Sequence, residues 1–110
     1  MNLNIFITKC AVLFGKGVNG FAKQKIQGGK LVYVRIRYDS TIESVEILGD
    51  FFMHPEEALL RIENALVGAE VKNRGDMLER VEKVVLSEKI EMVGISPSAI
   101  VDTIMIAVAQ

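Results

Sequence analysis

Hydrophobic and polar positions alternate most clearly over Leu31 to Tyr38, where Val32, Val34, Ile36 and Tyr38 interleave with Tyr33, Arg35 and Arg37. A period of two predicts a strand with one buried and one wetter face. Asp39-Ser40-Thr41 supplies turn residues, and Glu43 to Leu48 follows as a second strand with Val45 and Ile47 on its apolar face. These strands share a core only if Val45 and Ile47 lie on the side of Val34 and Ile36. Directly opposed residues must then combine one even and one odd position, which sets Glu46 opposite Arg35 or Arg37 on the exposed face. Phe21 to Gln27 is a weaker strand. Gly28-Gly29 reads as a two-residue hairpin signal, because glycine accepts positive φ without steric cost.

From Pro55 onward the period changes to that of a helix. Pro55 suits a first helical turn, and Glu56 and Glu57 favour the positive N-terminus. Leu59, Ile62 and Leu66 share a face, and Gly68 suits the C-terminal cap. A second helix is expected from Asp76, with Glu79 at capping-box spacing. Its stripe is Met77, Val81, Val84 and Val85, and Asp76/Arg80 and Glu79/Lys83 are acid-before-base pairs four apart. Arg74 and Gly75 read as a surface turn between helices. The third helix opens at Ser96-Pro97 and runs through Ile100, Val101, Ile104, Met105 and Val108. It is apolar almost all round, which predicts burial, in part against another chain. The expected architecture is an α+β domain: an antiparallel β-meander of about three strands, packed on one face by about three helices.

A chain of 110 residues fits one domain. Gly15 to Gly20 holds three glycines in six residues. It divides residues 1–20, an N-terminal extension, from the main domain, residues 21–110. Within the extension, Asn4 to Phe14 fits a strand or a short helix. The run Leu3 to Val18 lacks preceding basic residues and is interrupted by Lys9, so it reads as neither secretory signal nor membrane span. Thirteen basic and fourteen acidic residues give a formal charge of -1, without the basic excess of a nucleic-acid binder. One cysteine, Cys10, and one histidine, His54, exclude a disulfide framework and a Cys/His metal site within the chain. A soluble, cytoplasmic protein is expected.

Candidate chemistry is sparse. Gly15-Lys16-Gly17-Val18-Asn19-Gly20 matches G-x-G-x-x-G, but a dinucleotide site needs a helix next, and Phe21 to Lys30 has no helical stripe. A linker is the better reading. Gly28-Gly29-Lys30 offers backbone N–H groups and a cation to a phosphate, against a plain hairpin with an exposed lysine. Gly49 to Pro55 gathers Asp50, Phe51, Phe52, Met53 and His54 at a strand-to-helix junction. Alternation places Phe51 and Phe52 on opposite faces, leaving one for a partner. His54 is read as a helix cap before a general acid or base, and Asp50 as a turn residue or a ligand contact. No serine–histidine–acid set and no carboxylate pair can be assembled.

Gly28-Gly29-Lys30-Leu31-Val32, Ile47 to Phe52, His54 to Leu59, Ala65 to Gly68, and Val93-Gly94-Ile95-Ser96-Pro97 together resemble the accessory domain of lipoate–protein ligases, over roughly Phe21 to Val108. In bacterial ligases that domain is fused behind a catalytic domain, and in archaeal-type systems a similar one is a separate chain. The resemblance implies the small subunit of a two-component ligase, with no catalytic residue and no cofactor of its own. A large catalytic subunit, its partner in a heterodimer, would use ATP, Mg and lipoate to make lipoyl-AMP. Lipoyl would then pass to a lysine of lipoyl domains of 2-oxoacid dehydrogenases or of the glycine cleavage H protein. The implied supporting residues are Gly28, Gly29, Lys30, Asp50, Phe51, Phe52, His54 and Pro55. The family's fold is similar to iron–sulfur scaffolds and sulfur acceptors, which makes such a protein the alternative. Those need cysteines, and the single Cys10 lies outside the domain. A third reading is an interaction module with no enzyme partner.

Overall fold

The computed structural model describes residues 17–26, 28 and 30–109. Three antiparallel strands form a meander: β1 (Val18–Lys25), β2 (Leu31–Tyr38) and β3 (Ile42–Gly49), in the order β1-β2-β3. The parity argument holds. Val34 opposes Ile47, Ile36 opposes Val45, and Arg35 opposes Glu46. Val32, Val34, Ile36, Val45 and Ile47 face the core and are buried. On the other face Arg35 Nη1 lies 3.0 Å from Glu46 Oε1. Both partners are solvated, so the pair contributes at most about 1 kcal/mol and acts mainly on register. An irregularity between Arg37 and Tyr38 lets the ladder resume at Tyr38 and Ile42.

Helix α1 (Ala58–Leu66) packs on β3, and α3 (Pro97–Val108) packs on β1 and β2. Helix α2 (Arg74–Ser87) lies against both other helices. The result is the expected two-layer α+β arrangement, with one core between sheet and helices. Ile62 and Leu66 from α1, Met77 and Val81 from α2, and Ile100, Val101 and Ile104 from α3 fill it. The caps of α1 and α3 follow the sequence. Gly68, just past α1, has φ 92°, which suits glycine at a helix end. Ser96 Oγ accepts from the Ala99 N–H at 3.2 Å, with Pro97 in the first turn of α3. That helix is wetter than expected along one stripe, since Ser98, Asp102 and Ile106 are exposed. Among the described residues, no helix is long and apolar enough to cross a membrane.

Several boundaries differ from the sequence expectations. The first strand begins at Val18, not Phe21, so residues 18–20, assigned above to the extension, are paired with β2. The β1–β2 hairpin is longer than two residues. Its last ladder pair is Lys25 and Leu31, and Ile26 N–H donates to the Lys30 carbonyl at 2.8 Å. Pro55 is not in the first helical turn: it follows a cis peptide bond from His54 and accepts a bond from Ala58 N–H at the turn before α1. His54 does not cap that helix but ends a short strand, and Glu57 stands at the cap position without a side-chain bond. Helix α2 is capped by Asn73, whose side chain accepts from Asp76 N–H at 3.0 Å, so no Asp76–Glu79 capping box forms. Arg74 and Gly75 belong to its first turn, and Arg74 binds Asp102 of α3 at 2.7 Å. The expected Asp76–Arg80 pair is present at 3.0 Å. A second, two-stranded sheet was not foreseen. It pairs β4 (Phe52–His54) with β5 (Glu91–Val93), each too short for a periodic signal.

One polar residue acts on the sheet edge. The Glu63 carboxylate accepts from Ile47 N–H at 2.8 Å, an edge donor of β3. Burial pushes its pKa up, against the lowering effect of the Ile47 N–H, and nearby Glu46 adds to the rise. A carboxyl raised in the folded state binds protons more tightly there than in the unfolded chain, so stability falls as pH rises above the ordinary carboxylate range. Glu63→Gln keeps an acceptor for Ile47 N–H and removes the charge. It is expected to leave stability at neutral pH equal or higher and to flatten that fall. Glu63→Ala removes the acceptor and is expected to cost about 1 kcal/mol. Denaturant unfolding of the three proteins between acidic and neutral pH measures both effects.

Candidate functional site

At one end of the sheet the β1–β2 loop meets the link between β3 and β4. The antiparallel pairing of β2 with β3 sets Val32 opposite Gly49, and Asp50 N–H donates to the Leu31 carbonyl at 3.0 Å. Residues some twenty positions apart thereby become neighbours. Gly28, Lys30, Gly49, Asp50, Phe51 and Phe52 line one open groove of about 560 Å³. Gly28 has φ 91°, a backbone state that favours glycine.

The two aromatics divide as alternation requires. Phe51 packs against the core cluster, and its ring folds over Gly49, where an added Cβ would lie only 2.5 Å from Phe51 Cε2. Phe52 is 74% exposed on β4 and stands opposite Val93 of β5, itself 61% exposed. The Lys30 side chain runs along Gly94, where an added Cβ would meet Lys30 Cε at 3.4 Å and Phe51 Cβ at 3.6 Å. Gly94 thus forms part of the same end of the molecule. Sequence reasoning did not single it out as a site residue, because its place depends on the unforeseen β5 strand.

Of the eight residues named from the sequence, Gly28, Lys30, Asp50, Phe51 and Phe52 line the groove. Gly29 lies outside the described residues. His54 and Pro55 do not line it. His54 pairs with Glu91 across the short ribbon and is exposed. Gly94 also borders a second groove of about 450 Å³, with Lys25, Ile26, Ile95 and Ser96 among its lining residues. Gly17 to Gly20 lead into strand β1 and not a helix, which removes the helix N-terminus that a dinucleotide reading of that stretch needs. Gly15, Lys16, Cys10 and the Asn4 to Phe14 segment lie outside the described residues.

The groove presents one ammonium, one carboxylate and an exposed aromatic edge. It can hold a charged group beside an apolar one, or support a loop of another protein. A nucleophile held by a base is absent from it, and the described residues contain no grouping of three or more His, Cys, Asp or Glu side chains fit for a metal ion.

No protein-family model matches this chain, and no curated protein matches its sequence. A solved structure does. The chain is similar to one from the archaeal lipoylation system of Thermoplasma acidophilum, a bi-partite lipoate protein ligase and its E2 lipoyl domain. The TM-score is 0.68 at 21% sequence identity, over 80% of this chain and 96% of that one. At this identity the likeness is one of fold, and it extends over nearly the whole of the solved chain: the protein has the fold of a component of that archaeal lipoylation system.

Proposed function

We propose that this chain is the accessory subunit of a two-component lipoate–protein ligase, working as a cytoplasmic heterodimer with a large catalytic subunit. The observation that supports the reading most is the fold shared with nearly all of a chain from a bi-partite ligase system. The convergence of Gly28, Lys30, Asp50, Phe51 and Phe52 on one groove is a second support, because these residues also carry the sequence resemblance. The large subunit holds ATP, Mg and lipoate. A carboxylate oxygen of lipoate attacks the α-phosphorus of ATP, the bond to the β-phosphate oxygen breaks, and pyrophosphate leaves. Catalysis of such a step rests mainly on holding the reactants in line and stabilising charge. The small subunit supplies none of the reacting groups. It orders the large subunit's loops around the two substrates, shifting the population toward a preformed site. Transfer of lipoyl from the adenylate to a lysine of a lipoyl domain begins after that alignment and needs less of it.

The pairing is tested by coexpression with a ligase large subunit, followed by size-exclusion chromatography with light scattering. A single 1:1 species at micromolar concentration is expected. Two independently eluting proteins would overturn the proposal.

A further inference from the structure

Among the described residues, helices cover one face of the three-stranded sheet and none packs on the other. An antiparallel sheet tolerates this, and its open face is ordinarily polar. Here the rows across the ladder read Phe21–Arg35–Glu46 and Lys23–Tyr33–Leu48, with Lys25 opposite Leu31. Phe21 is 48% and Leu48 50% exposed. The Phe21 and Tyr33 rings lie 6.4 Å apart, and the Lys23 ammonium sits 5.8 Å from the Tyr33 centroid. Phe21, Tyr33 and Leu48 therefore make an apolar centre, rimmed by Lys23, Lys25, Arg35 and Arg37. Glu46 and Glu43 are each already held by an arginine, at 3.0 and 3.2 Å. Among the described residues no carboxylate pairs with Lys23 or Lys25. The face is net positive in a chain whose formal charge is -1.

Aromatic residues at the centre of an exposed patch, with arginine beside them, are the composition of a protein interface, and the two rim lysines that no described carboxylate pairs with are complementary to carboxylates. Three eight-residue strands cover roughly 26 by 14 Å of sheet, at about 3.3 Å per residue and 4.8 Å between strands. That footprint is about half of what one partner contributes to a standard interface, enough for its anchoring centre.

We infer that the open face of the β1–β2–β3 sheet is where the large subunit docks, through an acidic surface around an apolar centre, leaving the groove at Lys30 and Phe52 free to act on the active-site loops. This rests on the accessory-subunit reading. The test measures affinity between the purified large subunit and five forms of this chain, the wild type and four variants, with circular dichroism and thermal melting of each free form. Phe21→Ser/Leu48→Ser is expected to raise Kd at least tenfold. Lys23→Glu/Lys25→Glu is expected to do the same at low salt and to weaken the salt dependence of binding, whereas Lys23→Arg/Lys25→Arg keeps wild-type affinity. Leu86→Ser, at a residue 79% exposed on α2, is expected to change nothing. Wild-type affinity in both folded face variants would overturn the docking surface while leaving the accessory role standing. No binding by the wild-type chain would defeat the accessory role itself. A free chain that is dimeric, and made monomeric by Phe21→Ser/Leu48→Ser, would identify the occupant as a second copy and refute the inference.

Discussion

Replacing Gly20 by valine is expected to unfold much of the domain at physiological temperature. Gly20 is buried in β1, opposite Ile36. A Cβ there would lie 2.5 Å from the Ala107 carbonyl oxygen and 3.2 Å from its carbon, with the Ile36 side chain also at 3.2 Å. The obstacle is helix backbone, which cannot turn aside as a side chain can. Helix α3 would have to lift from β1 and β2, the two strands it covers. Overpacking of this kind costs about 3 kcal/mol or more, a large share of the stability of a small domain. The expected fall in Tm is about 15 °C, at about 4–8 °C per kcal/mol for a domain of this size. Gly75→Ala is the contrast. It sits in the first turn of α2, and its Cβ would meet only Asn73 Oδ1, at 3.6 Å. Alanine is the better helix former by nearly 1 kcal/mol, so that variant is expected to melt at the same or a higher temperature. Thermal unfolding by circular dichroism checks both.

The second large effect concerns the partner. Without this chain, lipoate activation by the large subunit is expected to fall by about a hundredfold, the scale on which a misplacement of about 1 Å acts in a positioned reaction. Phe52→Ser and Lys30→Ala in the complex are expected to give smaller losses, about tenfold each, in the rate of pyrophosphate release. Both side chains are exposed at the groove, so the loss would occur with little change in folding, since surface substitutions usually stay within about 0.5 kcal/mol. Phe51→Ala is less informative, because Phe51 also packs on the core and its truncation would mix stability with function.

What the sequence made legible follows from periodicity. The strand pair β2–β3 and its register could be derived because a one-residue slip would turn Val34, Ile36, Val45 and Ile47 out of the core. The stripe of α2 and the Ser96 cap of α3 were visible for similarly local reasons. Asn19 and Gly20 are weak strand formers, so the start of β1 carries little local signal; α3 packs closely on Gly20 there, a tertiary effect. The β4–β5 ribbon is three residues on each side, below the length at which alternation can be told from chance, and with it went the place of Gly94 and the true setting of His54. Asp76 with Glu79 imitates a capping box and so hides Asn73, the residue that caps the helix. That the Gly28 to Lys30 turn meets Asp50 to Phe52 emerges only with the ladder in place, where the antiparallel hairpin returns the end of β3 to the start of β2. The edge-capping role of Glu63 had no sequence signal: a carboxylate on a helix reads as solvated until the neighbouring strand is known.

On the proposed reading, this chain completes an adenylating enzyme and contributes little to acyl transfer. Its most direct test is pyrophosphate release by the large subunit from ATP and lipoate, with and without this chain, beside lipoyl transfer from synthetic lipoyl-adenylate to a lipoyl domain. Pyrophosphate release is expected to depend on this chain, and transfer to proceed without it. Pyrophosphate release at the full rate by the large subunit alone would contradict the accessory role, and failure of the large subunit alone in both steps would contradict the division of labour.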